Sequence, residues 1–316
     1  MNQVAAKIGL DFARQRNILG QGTTVVVMDT GINDRHPDFI GTPGPLLAFY
    51  DCIHRREGTP YDDNGHGTHI AGIICANGLA SDGRIQGVAP ACNLIVLKVL
   101  DYKGEGNIKD VLHGTRWILE NRKRYNIRIV NISVGSNRNK SFDENSPLVQ
   151  AVDSLWDAGL VVTTAAGNHG PEPYSIGSPG NSRKIITVGS SDDSVRSNFK
   201  GRVVRSYSSR GPTGMCIKKP DIVAPGSNIN SCNYITPVGR PFGFSGRGYY
   251  VRKSGTSMAT PVVSGALALL LSLRPELSNL EVKMLLRDRA VDMGYPHDRQ
   301  GWGMLKIPEL LADFVR

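Results

Sequence analysis

Long apolar runs are scarce in this chain of 316 residues. The most apolar stretch, VVSGALALLLSL after Pro261, ends at Arg274-Pro275. It falls short of the roughly 20 residues that a membrane span needs, so it reads as a core helix and no membrane partner is expected. The opening MNQVAAKIGLDFARQ lacks the apolar h-region of a secretory leader. Cysteine is sparse: the five residues Cys52, Cys75, Cys92, Cys216 and Cys232 are odd in number and form no CxxC, which excludes a disulfide scaffold and a zinc ribbon. Free thiols in a reducing compartment are expected, hence a cytoplasmic protein. A secreted mature form whose leader has been removed is the alternative. Runs of like charge are also missing. The net charge is +9, a balance that could favour nucleic acid. Yet the cations are scattered, and the densest cluster, Asn121-Arg122-Lys123-Arg124, reads as the exposed end of a helix, so no nucleic-acid partner is expected. There are no internal repeats and no low-complexity linker, which leaves a single domain over 1–316 with its core at about 20–290. Hydrophobic content of 40% and charged content of 21% exclude a disordered chain.

What is present is an alternation of two patterns. Thr23–Met28, Leu94–Leu100, Ile127–Ile132, Leu160–Thr164 and Lys184–Val188 are short, continuous and rich in β-branched residues, the mark of strands buried on both faces. Helical patterns fall at Gly67–Ala76, Asn107–Arg124 and Pro147–Ala158, with two or three more after Ser257. This order predicts an α/β fold: a doubly wound, mostly parallel sheet flanked by helices. Gly-rich Asn233–Gly248 reads as a surface loop. In such sheets the ligand site lies at the carboxyl ends of the strands.

Polar residues gather at those ends. Asp29 closes VVVMD, where a carboxylate is partly desolvated and needs a partner; alone, it could simply cap a turn. His66 stands between two glycines in NGHGTHIAG. His66 and His69, three apart, could ligate zinc, but no third ligand has matching spacing; His69 reads better as a hydrogen-bonded core histidine. Asn168 follows the strand in LVVTTAAGN, where it is either a turn residue or an amide donor into the space that small neighbours leave. SGTSMATP, Ser254–Pro261, puts hydroxyls at the mouth of the most apolar helix. A serine hydroxyl needs a base, the base needs a carboxylate, and the tetrahedral intermediate needs donors at its oxyanion. Asp29, His66, Asn168 and Ser257 supply these roles. Ser257 at a helix N-terminus adds its own N–H and the positive end of the dipole. Pro261 is expected within the first turns, where a missing N–H costs least.

VVVMDTGIN, NGHGTHIAG, AAGNHGP and GTSMATP resemble, in this order, the Asp, His, oxyanion-Asn and Ser blocks of the subtilisin-like serine proteases, the subtilase family. GVAP, SVG and VAPG, at Gly87, Ser133 and Val223, resemble further family segments. The resemblance runs from about Gly20 to beyond Pro275. It implies a serine endopeptidase (EC 3.4.21) with Asp29 as orienter, His66 as base and acid, Ser257 as nucleophile and Asn168 as oxyanion donor. No cofactor is implied for the chemistry. Protein or peptide substrates would lie as an extended strand between Gly104-Glu105-Gly106 and Ser133-Val134-Gly135. The pocket for the residue before the scissile bond would have walls at Ser133-Val134-Gly135 and Ala165-Ala166-Gly167 and a floor near Gly177, wide and without a carboxylate, favouring large apolar side chains. The family also implies a prosegment acting as inhibitor, and structural calcium, with Asp38 in HPDF as a ligand. NGLASDGRIQ, from Asn77, does not read as the usual calcium loop. Two other readings stand beside this one. An α/β-hydrolase esterase would use Ser257 with Asp292 and His297, and a binding module would have the fold without catalysis.

Overall fold

The structure is a computed structural model that describes residues 1–315 apart from 42–43, 134, 136–145, 195–196, 200–201, 205 and 236–247. Two short helices, α1 (Asn2–Ile8) and α2 (Asp11–Arg14), precede the first strand, β1 (Thr24–Asp29). Then come β2 (Leu46–Asp51), β3 (Arg56–Glu57), α3 (His66–Cys75), β4 (Asn93–Lys98), α4 (Ile108–Asn121), β5 (Ile127–Ile132), α5 (Pro147–Asp157), β6 (Val161–Ala165) and β7 (Ile186–Ser190). The second half holds β8 (Ser197–Phe199), β9 (Arg202–Val204), β10 (Ile222–Ala224), β11 (Ile229–Cys232), β12 (Tyr250–Lys253), α6 (Thr256–Leu273), α7 (Asn279–Asp288), α8 (His297–Gln300) and α9 (Ile307–Leu311).

Eight strands form the main sheet in the order β10-β7-β6-β5-β1-β4-β2-β3. All its pairings are parallel except β2 with β3. The expected doubly wound, mostly parallel sheet is therefore what forms. The five strands read from sequence are β1, β4, β5, β6 and β7, each shifted by two residues or fewer. The short β3 and β8 to β12 were not read, because two to four residues carry too little periodicity to separate a strand from a loop; six-residue β2, only partly buried, was not read either. Each central strand feeds both faces. Val25 and Val27 join one core with α3 and α6; Val26 and Met28 join the other with α4 and α5. That two-sided burial is why these strands read as unbroken apolar runs.

Strand β1 sits between β4 and β5: the chain leaves it toward β2 on one side and, after β4, crosses over to β5 and continues to β6, β7 and β10 on the other. The crevice of a doubly wound sheet opens at such a reversal, and Asp29 is the last residue of β1. Helix α6 lies across the sheet, packed on β5, β6 and β7 and against α3. Its 18 residues are long and apolar enough to cross a membrane by length and composition, and 83% of that stretch is buried inside the fold.

Candidate active site

Asp29 is wholly buried. Its Oδ1 accepts the Thr30 N–H at 2.8 Å, and its two oxygens lie 2.8 and 2.9 Å from His66 Nδ1. A carboxylate only accepts, so Nδ1 carries the proton and Nε2 is left as the basic nitrogen. His66 opens α3, and the glycine before it is required. Gly65 sits at φ 89, and a Cβ there would lie 2.2 Å from Cδ1 of Tyr234.

Ser257 is the second residue of α6, behind a Gly255 N-cap that has no capping side chain. The hydroxyls of SGTSMATP therefore do not cap their own helix. Asn168 does it from the end of β6: its Oδ1 accepts the Thr256 N–H at 2.9 Å and the Thr256 hydroxyl at 3.2 Å. With its oxygen so occupied, Asn168 keeps its Nδ2 hydrogens for another partner. Among the described residues, neither they nor the Ser257 N–H and hydroxyl have a hydrogen-bond partner, His66 included. Pro261 is the sixth residue of α6, past the orphan N–H groups, so it forfeits a bond to the Ser257 carbonyl, contrary to the sequence expectation. Beneath α6, Ser264 Oγ joins Asn131 Oδ1 (2.8 Å) and Thr163 Oγ1 (2.7 Å), tying the helix to β5 and β6.

Three further polar residues hold this arrangement. Asp62 accepts the Thr30 hydroxyl (2.9 Å), the N–H groups of Asn64, Gly65 and Thr68 (3.0, 2.7 and 2.9 Å) and the Thr68 hydroxyl (2.6 Å). Burial alone would raise its carboxyl, but these donors hold it below the ordinary carboxylate value. Lys98, 1% exposed, donates to Thr30 O (2.7 Å), Asp63 Oδ1 (2.7 Å) and Leu100 O (2.9 Å). Lys253 donates to Gly65 O at 2.9 Å; burial lowers its pKa, with Asp29 and Asp62 opposing. None of the three was singled out from sequence. For Lys98 a signal existed, a lone cation inside LIVLKVL. His69 is the core histidine expected: its Nε2 lies 3.1 Å from both Ile229 O and Val251 O, and burial, then Lys253 and His66, push its pKa well down. Among the described residues, no third ligand joins it and His66 in a metal cluster.

Of the expected substrate slot, three segments converge. Gly177 N–H donates to Ala166 O at 3.2 Å, and a Cβ on Gly135 would meet Ser178 O at 3.1 Å. Ser133 is buried, and its hydroxyl accepts from Asn131 Nδ2 at 2.8 Å. Ala165 and Ala166 are buried, and Gly167 stands at φ 106. Val134 lies outside the described residues, as does most of the Asn233–Gly248 loop. Gly104, Glu105 and Gly106 are exposed in a turn in which Glu105 gives both backbone groups to Asp101.

Asp38 does not meet the calcium expectation. It is buried, with Oδ1 taking the Ala80 N–H (2.8 Å) and Oδ2 the Tyr250 hydroxyl (2.8 Å) and the Cys232 thiol (3.7 Å). Calcium wants about six oxygen ligands, but the groups gathered beside this carboxylate are the Cys232 thiol and the His36 imidazole. The residues do not fit calcium. Asp292, the esterase alternative's carboxylate, is spent on Gln300 and the Gly294 N–H. All five cysteines are unpaired, four buried and Cys216 exposed.

Comparison with known proteins matches residues 20–303 to the subtilase family (peptidase S8). The chain belongs to the subtilase family. This subtilase is 42% identical over 281 residues to Serine protease AprX of Bacillus subtilis, covering 86% of this chain and 62% of that protein. It is 34% identical over 282 residues to Subtilisin Savinase of Lederbergia lenta, covering 89% of this chain and 88% of that one. Among solved structures, Sphericase superposes with a TM-score of 0.75 at 32% identity, covering 91% of this chain and 92% of its own. The subtilase chain thus spans under two thirds of the AprX length.

Proposed function

We propose that this subtilase is a serine endopeptidase that hydrolyses protein or peptide substrates through an acyl-enzyme. The observation that carries the reading is His66, whose Nδ1 is fixed on both Asp29 oxygens while Nε2 stays free. Nε2 takes the Ser257 proton as Oγ attacks the scissile carbonyl. Asp29 stabilises the imidazolium without itself becoming protonated. The oxyanion that develops is met by two donors without other partners among the described residues, Asn168 Nδ2 and the Ser257 N–H at the positive end of α6. The imidazolium then protonates the leaving amine, and water repeats the sequence to release the acid. No cofactor enters these steps.

An extended substrate pairs with Ser133-Val134-Gly135 on one side and Gly104-Glu105-Gly106 on the other. Because Glu105 has its own backbone groups engaged, the flanking glycines are the pairing positions. The slot between Ser133-Val134-Gly135, Ala165-Ala166-Gly167 and Gly177 takes the residue before the scissile bond. Burying a large apolar side chain there is worth about 1.5–3 kcal/mol, or roughly ten- to a hundredfold in preference over glycine. Residues 1–316 act as one peptidase domain, for which its own prosegment would be an inhibitor. Likeness to the subtilisins favours a secreted form over the cytoplasmic placement expected from the cysteines.

A fluorophosphonate probe combined with casein hydrolysis tests the reading. Labelling and cleavage are both expected, and both should vanish in Ser257→Ala with the fold intact. An esterase would label without cleaving casein, and a binding module would do neither.

A further inference from the structure

Asp38 is not alone in its pocket. His36, Asp38 and Cys232 are all fully buried, and one ligand atom from each lies within 4.8 Å of the others. The set is one imidazole, one carboxylate and one thiol. Calcium, a hard ion, would refuse the nitrogen and the sulfur. A tetrahedral, borderline-soft ion takes all three. We propose that His36, Asp38 and Cys232 form a structural zinc site, separate from the Asp29–His66–Ser257 centre and independent of the peptidase reading.

The surroundings support it. A ligating histidine normally donates its other ring N–H to a carbonyl, which fixes the tautomer. His36 Nε2 lies 2.8 Å from Tyr249 O, so it carries the proton and leaves Nδ1 as the ligand atom. Nδ1 now accepts only the Asp38 N–H, at 3.1 Å, a bond that the metal replaces. The carboxylate is held in the same way, by the Ala80 N–H on Oδ1 and the Tyr250 hydroxyl on Oδ2. Each oxygen has a second lone pair, so these supports persist when the metal binds. Cys232 Sγ lies 3.7 Å from Asp38 Oδ2, close to the edge of a zinc tetrahedron. The thiol proton leaves to solvent, and the sulfur becomes a thiolate ligand.

The site would join separate parts of the chain. His36 and Asp38 flank the turn after β1, Cys232 ends β11, and Tyr249 and Tyr250 lead into β12. Strand β12 runs directly to Ser254 and the start of α6. A metal here staples the β11–β12 ribbon that delivers Ser257. With all three ligands buried, the ion would be acquired during folding.

The test uses the Ser257→Ala protein, which cannot digest itself, refolded with zinc, with calcium or with neither, then dialysed. The expected result is one zinc retained per chain by elemental analysis. A Tm rise of about 5 °C is expected when free zinc exceeds Kd about a hundredfold, with no rise in calcium. Cobalt in place of zinc should show a near-ultraviolet thiolate-to-cobalt band. Cys232→Ser should abolish band and retention, and Cys216→Ser, at the exposed thiol, should abolish neither. No retained zinc, equal retention in Cys232→Ser, or stabilisation by calcium alone overturns the proposal. If Cys232→Ser does not fold, the cobalt spectrum of the parent protein decides: absence of the thiolate band refutes the site.

Discussion

Replacing Asp62 by asparagine removes one charge and one acceptor without changing shape, at a residue that binds Thr30, next to Asp29, and Gly65, next to His66. Oδ1 serves the Thr30 hydroxyl and the N–H groups of Asn64 and Gly65; Oδ2 serves the Thr68 N–H and hydroxyl. The best orientation of the new amide keeps its oxygen on the first three donors and turns its NH₂ toward Thr68. The Thr68 hydroxyl can reverse and accept, but the buried Thr68 N–H then faces another donor. Hydrogen bonds to a charged group contribute about 1.5–3 kcal/mol each. With one lost outright and the others weakened, about 2–4 kcal/mol should go. A chain of this size loses roughly 2 °C of Tm per kcal/mol, so the drop should be about 4–8 °C. The sign of the pH dependence follows from the lowered carboxyl. Its contribution is fully present above the ordinary value of 3.8 and is lost as pH falls through the depressed folded value. The gap between parent and variant should therefore hold steady from neutrality to about pH 4 and close below it. Thermal unfolding of both proteins in the Ser257→Ala background measures this. In the active background, kcat should fall about tenfold or more with KM nearly unchanged, because the base is misplaced rather than the substrate. A Tm within about 1 °C of the parent, or a gap that widens in acid, would refute the reasoning.

Asn168→Ala should lower kcat by about 10²–10³-fold with little change in KM, the usual cost of losing one oxyanion donor in sites of this family; an unchanged kcat removes Asn168 from the oxyanion site. Gly177→Val should weaken the preference for phenylalanine over glycine before the scissile bond, read with peptide p-nitroanilides, and an untouched preference would place the floor elsewhere. Lys283 donates to the carbonyls of Arg183, Lys184 and Ile185, and burial lowers it from 10.5 to about 8. Between those values the unfolded chain holds a proton that the folded one has released, so stability should rise with pH across that window; urea unfolding of Lys283→Met should show the rise flattened, and an equal slope would count against the buried cation.

The primary structure determined the parts that depend on local order. Continuous β-branched runs could only be strands covered on both faces, and their alternation with helical patterns set the parallel sheet. Asp29, His66, Asn168 and Ser257 stood out because each closes a strand or opens a helix beside glycine or alanine, where little but a turn or a site accounts for a polar side chain. Tertiary structure alone decided which polar group serves which. Asn168 rather than a local hydroxyl caps α6, because the chain returns through β6 to the mouth of that helix. Asp62 and Lys98 gather donors and carbonyls from segments tens of residues apart, and no spacing along the chain encodes such a meeting. Asp38 shows the difference most plainly. Its motif predicts a calcium ligand, but a carboxylate's partners depend on what the fold carries to it: the Ala80 N–H, the Tyr250 hydroxyl and, from 194 positions away, the thiol of Cys232.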